Sequence, residues 1–121
     1  MRVIHMANVK EIIGWYVAEA ERDYTGLWEV IIDAARADDI DQRLPLIEKT
    51  VILVRALLKR GFQAVDLIDH GGCIAWPDQN PDTVVDRIRR ERDALGQGDD
   101  FGYICWFNLP DELQDHPPAQ V

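Results

Sequence analysis

Two cysteines and three histidines are the residues of this chain best suited to covalent or metal chemistry, and the chain contains no serine at all. Every serine-nucleophile arrangement is therefore excluded. His70-x-x-Cys73 together with Cys105 and His116 supplies four ligands of the kind zinc takes, but the spacing matches no known finger. His70 is expected at a turn tip, His116 in a proline-rich tail, and both thiols as ordinary packed side chains, so no metal site is predicted. Cys105 stands between Ile104 and Trp106, apolar surroundings that raise a thiol pKa rather than activate it. Cys73 has His70 nearby but no third group to complete a nucleophile. Gly96-x-Gly98-x-x-x-Gly102 imitates a phosphate loop, yet it follows a helix and precedes a strand. That reverses the order in which helix N–H groups can face a phosphate, and Asp99 and Asp100 would repel the anion. No acid/base pair can be assembled from the scattered carboxylates. The expectation is a protein that is not an enzyme and carries no cofactor.

Charge is more informative. The net charge is −9, but residues 1–60 carry 9 Lys/Arg against 10 Asp/Glu, and residues 61–121 carry 4 arginines against 12 Asp/Glu, so the acidity is C-terminal. All four of those arginines, Arg87, Arg89, Arg90 and Arg92, fall in one helical segment and leave the flanking loops purely acidic. Such a field repels phosphate backbones and attracts basic proteins.

The elements that must position these residues follow from periodicity. Leu46 to Arg60 has apolar residues on two adjacent helical stripes, with Pro45 before it and Lys59, Arg60 and Gly61 as a C-terminal signal; it is predicted to be the buried central helix. Asn8 with Glu11 caps a first helix from Val9 to Ala20, and Thr25 or Asp23 caps a second that ends near Ala37. After Gly61 the period changes to two. Phe62 to Ile68 and Cys73 to Trp76 are predicted strands around an Asp69-His70-Gly71-Gly72 hairpin loop, and Tyr103 to Phe107 is a third strand, apolar on both pleat faces, with Trp106 in the core. Asn80-Pro81-Asp82 opens a fourth helix to Leu95 whose apolar edge is narrow, so it lies on the surface. The predicted fold is α+β: three N-terminal helices, a small antiparallel sheet and a surface helix, as a single domain over residues 1–110 with a flexible tail over 111–121.

Residues 71–107 carry a resemblance. The order Gly71-Gly-Cys-Ile-Ala-Trp-Pro77, then Val84-Val-Asp-Arg-Ile-Arg-Arg-Glu91, Asp93-Ala-Leu-Gly96 and Gly102-Tyr-Ile-Cys-Trp-Phe107 resembles small acidic bacterial proteins that are either uncharacterised or thought to be immunity proteins of contact-dependent and related polymorphic toxin systems. An aromatic often follows the Arg-Arg-Glu run in those proteins, where this chain has Arg92. The resemblance implies a protein that neutralises a toxin domain and has no catalysis of its own.

The sequence thus predicts a binding protein whose acidic surface docks on a basic toxin, a nuclease being the class whose groove holds phosphate. Asp69, His70, Trp76 and Asp78 around the hairpin, with Asp99 and Asp100, are the predicted partner-binding residues, Trp76 being a partly exposed aromatic anchor. The alternative is a winged-helix-like nucleic-acid binder that would read through Lys49, Arg55, Lys59 and Arg60; against it, the central helix is too apolar for a groove and Asp66 and Asp69 would set carboxylates against phosphate. No apolar run approaches the ~20 residues of a membrane span, and the N-terminus has no signal-peptide pattern, so the expected compartment is the cytoplasm.

Overall fold

The computed structural model describes residues 7–96 and 101–114. Its elements are α1 (Val9–Glu19), β1 (Thr25–Gly26), α2 (Leu27–Arg36), α3 (Leu46–Arg60), β2 (Gln63–Leu67), β3 (Cys73–Ala75), α4 (Pro81–Leu95) and β4 (Trp106–Asn108), followed by a 3-10 turn at Asp111–Leu113. The fold is α+β, with a four-stranded antiparallel sheet in the order β1-β4-β2-β3.

α3 buries Thr50, Val51, Leu53, Val54 and Leu57, the centres of its two apolar stripes. Ile52, which lies on neither stripe, is exposed. Thr50 sits in this apolar face because its hydroxyl donates to the Leu46 carbonyl at 2.8 Å and so leaves no polar atom unpaired. The helix stops at Gly61, whose φ of 117° needs a residue without a Cβ. α1 starts with the reciprocal pair of bonds between Asn8 and Glu11 that the sequence implies. It is tied to α2 by the Tyr16 hydroxyl, which donates to the buried Asp33 carboxylate.

α2 departs from expectation at its start. Gly26, rather than Thr25 or Asp23, occupies the cap, because Thr25 and Gly26 pair with Phe107 and Trp106 as an unforeseen short strand. A Cβ at Gly26 would stand 2.6 Å from the Trp28 ring, so only glycine lets Trp28 fold back beside Trp106. The predicted strand over Tyr103 to Phe107 is likewise corrected. β4 begins only at Trp106, because Leu27 N–H and Trp28 N–H donate to the Cys105 and Gly102 carbonyls and hold residues 101–105 as a turn around α2. Tyr103 is 73% exposed and Trp106 is half-buried rather than core.

By register, Thr25, Phe107 and Ala64 form one row across the sheet, and Gly26, Trp106, Val65 and Ala75 the next. The first row is buried with the apolar residues of the helices. Glu48 on α3 and Arg89 on α4 are joined by two bonds of 2.6 and 2.9 Å, and the guanidinium holds the Glu48 carboxyl below its ordinary pKa. A depressed carboxylate pKa adds stability above the unfolded value and loses it as pH falls through the folded one. Both side chains are more than a third exposed, so Glu48→Gln is expected to shift the melting temperature at pH 7 by an amount worth at most about 1 kcal/mol. That difference should vanish in acid below the ordinary carboxylate range; an equal shift at both pH values would remove the pair from the account.

The predicted tail from residue 111 does not leave the body where expected. Leu109 is 2% exposed, and the Arg60 guanidinium donates to the Leu113 and Gln114 carbonyls at 2.6 and 2.8 Å, so the chain stays docked through Gln114.

Candidate partner interface

The hairpin tip is built by three consecutive residues with positive φ, His70 (70°), Gly71 (89°) and Gly72 (93°), and closed by Ile68 N–H donating to the Gly72 carbonyl. At the other end of the hairpin, Trp76 N–H donates to the Ala64 carbonyl at 2.9 Å. These two bonds set the alternation: Ile74 turns its backbone groups toward Asp66, and Cys73 and Ala75 turn theirs off the free edge of the sheet.

Where β3 ends, the Gln79 carboxamide takes its place. Its oxygen accepts from Ala64 N–H at 2.8 Å, and its nitrogen donates to the Ala64 and Trp76 carbonyls, both at 2.9 Å. Nothing in the sequence period marks Gln79 for this role. Gln79→Ala would leave the Ala64 N–H, on a fully buried residue, without a partner, at a cost of about 1–3 kcal/mol. Gln79→Glu keeps the acceptor but sets a carboxylate against two carbonyl oxygens, so chemical denaturation should find both variants less stable. Equal midpoints for Gln79→Ala and the parent would show the amide to be dispensable.

Trp76 corrects the expectation of a partly exposed anchor. It is 3% exposed. Its indole N–H donates to Asp66 Oδ1 at 3.1 Å, and the Arg87 guanidinium of α4 lies 3.7 Å from the ring centroid. Arg87 is in turn held by Glu91, Nε to Oε2 at 2.6 Å, with Asp66 at 3.8 Å. The tryptophan is thus the filling of a clasp that fastens α4 to the hairpin, and its burial follows from a cation stacked on its face. The sequence signal was present in Arg87, which stands on the face of α4 that carries Val84 and Ile88, but a distant aromatic partner is not readable from spacing.

The remaining predicted residues separate. Asp69 and His70 are exposed at the tip. Asp78 is exposed but has a structural task, its carboxylate accepting from Asn80 N–H at 2.8 Å just before α4. Asp99 and Asp100 lie outside the described residues. Leu67, Ile68 and Ile74, which the sequence period does not single out, are all exposed, with Ile74 at 59%. Register puts Leu67 and Ile74 on opposite pleat faces, so they straddle the free edge beneath the tip. From Gly61 to Asp86 the chain has five aspartates and no lysine or arginine, and the next cation, Arg87, is consumed in the clasp. The result is an apolar collar in a negative field.

Of the two thiols, Cys105 is buried and Cys73 half-buried. Burial pushes the Cys105 thiol far above its ordinary pKa, with the Asp66 and Glu91 charges adding to the shift. Among the described residues no three His, Cys, Asp or Glu side chains gather as a metal site. Of the cations assigned to a possible reading helix, Arg55 pairs with Asp82 at 2.7 Å, Lys49 donates to the Gln42 amide at 3.4 Å and Arg60 holds the C-terminal carbonyls. No described helix is long and apolar enough to cross a membrane.

The fold and site define an α+β protein with four helices, a small antiparallel sheet and an exposed, apolar-tipped hairpin at the sheet edge. No protein-family model matches the chain, and no curated protein or solved structure gives a significant match.

Proposed function

We propose that this chain is an immunity-type binding protein that neutralises a cognate bacterial toxin domain by direct contact, in the cytoplasm of the cell that makes it. The observation that carries the reading is the hairpin: Leu67, Ile68 and Ile74 are exposed beside Asp69 in a stretch without a free cation. Exposed aliphatic side chains beside an exposed carboxylate, in an acidic stretch, suit a partner surface that is basic with apolar pockets, since charge steers encounter and desolvated anchors hold the complex. A nuclease is the toxin class favoured, because its active-site groove is basic in order to hold phosphate.

The test is co-expression with the toxin domain encoded beside this chain's own reading frame. Growth should be rescued, and the two purified proteins should form a complex whose association slows as salt rises. A toxin that kills equally with and without this protein would refute the reading. Fluorescence anisotropy against duplex DNA at physiological salt serves as the counter-test. No binding is expected, and salt-sensitive micromolar binding would favour the winged-helix alternative instead.

A further inference from the structure

A second surface, built from other elements than the hairpin, concentrates positive charge in this acidic protein. Between α1 and α3 runs a groove of about 660 Å³, with an apolar part made by Val9, Ile13 and Ala56 and a charged part made by Lys10, Lys59 and Arg60. Among its described lining residues the only carboxylate is Asp39, which accepts from Val9 N–H at 3.0 Å, so the cations outnumber it three to one.

Several other cations of the chain are neutralised by acids. Arg43, Arg55, Arg87 and Arg89 each sit against a carboxylate within 3.0 Å. Lys10 and Lys59 have no ion-pair partner among the described residues. Arg60 is held in place by the Leu113 and Gln114 carbonyls, which are neutral, so its position is set while its charge stays uncompensated. Two exposed ammonium groups and one guanidinium held by neutral carbonyls therefore line a groove whose apolar part includes the small side chain of Ala56, one turn before Arg60 on α3. The α3 dipole accounts for Lys59 and Arg60 near its C-terminus, but not for Lys10 across the groove on the first turn of α1, where a helix favours acids. The volume lies in the range of small-molecule sites, which are mostly apolar with a few converging polar groups.

From this arrangement we infer that the α1–α3 groove binds a small organic anion with an apolar body, its carboxylate or phosphate head between Lys10, Lys59 and Arg60 and its chain along Val9, Ile13 and Ala56. Octanoate and octyl phosphate are the probes, followed by amide chemical shifts in the full-length protein. Saturable shifts are expected at Lys10, Ile13, Ala56 and Lys59, stronger at low salt because exposed charges are screened. The probe with the lower dissociation constant identifies the head group, and either ranking supports the site. Lys10→Glu with Lys59→Glu, two exposed positions whose helix-dipole effects oppose each other, a gain on the first turn of α1 against a loss on the last turn of α3, should leave the melting temperature nearly unchanged and weaken both probes at least tenfold. Ala56→Leu, which fills the apolar part, should weaken octanoate while leaving the lysines in place. The inference is overturned if neither probe gives saturable shifts in the groove. It is equally overturned if acetate binds as well as octanoate, if octyltrimethylammonium does so, or if the double-glutamate variant binds like the parent. None of these outcomes depends on the hairpin or on a toxin.

Discussion

Val54→Asp is expected to leave no cooperative thermal transition at neutral pH. Val54 is 1% exposed at the middle of α3, among Leu53, Leu57 and the buried residues of α2 and the sheet. A carboxylate there has no cation to meet, and an uncompensated buried charge costs about 3–5 kcal/mol, to which loss of the valine's own burial adds roughly 1.5–3. The sum is comparable with the whole stability of a domain, about 5–15 kcal/mol. Partial escape by protonating the new carboxyl is open, since burial raises its pKa, so the variant should recover some structure as pH falls. Val54→Ala, which leaves a cavity but no charge, should keep a cooperative transition at a lower temperature. Circular dichroism melts across pH check both variants. A Val54→Asp protein that melts at the parental temperature at pH 7 would mean that α3 is not the centre of the core.

Why α3, α4 and the β2–β3 hairpin can be bounded from sequence, while β1 and β4 cannot, comes down to where the ordering information sits. Pro45 and Gly61, Asn80-Pro81 and Gly96 are local signals acting through backbone conformation and capping, and they act whatever packs nearby. β1 has only Thr25 and Gly26, too short to show a period, and exists because Trp106 and Phe107 pair with it from a distance of eighty residues in the chain. β4 starts late for the same reason: residues 102 and 105 spend their carbonyls on α2 before the strand begins. The candidate site divides along that line too. Asp69 and His70 at an exposed tip follow from the two glycines after them. Trp76 does not, because its burial is decided by Arg87 eleven residues on and by Asp66 ten residues back. An aromatic next to proline and aspartate reads as exposed until the cation that covers it is placed.

That correction changes which substitutions should report on a partner. Under the proposed function, charge at the rim governs association and desolvated anchors govern dissociation. Asp69→Lys reverses a charge at the exposed tip and touches no structural bond, so at low salt it should slow association with the basic toxin domain by about tenfold and leave dissociation nearly unchanged. Ile74→Ala removes the most exposed aliphatic side chain of the collar, and should speed dissociation by roughly tenfold, the effect of losing about 1.4 kcal/mol of binding. The two act on different rate constants, so the double variant should show both changes and weaken binding about a hundredfold. Trp76→Ala behaves differently. It empties the clasp between α4 and the hairpin, removes the ring under the Arg87 guanidinium and the donor to Asp66, so its first effect is a lower melting temperature in the absence of any partner. Asp78→Ala similarly disturbs the entry to α4 and is no measure of an interface. Kinetics by surface plasmon resonance on Asp69→Lys and Ile74→Ala, with melts run on the same preparations, separate these effects. Parental association for the first and parental dissociation for the second, both with intact melts, would take the hairpin out of the interface. The proposed function would then need another surface.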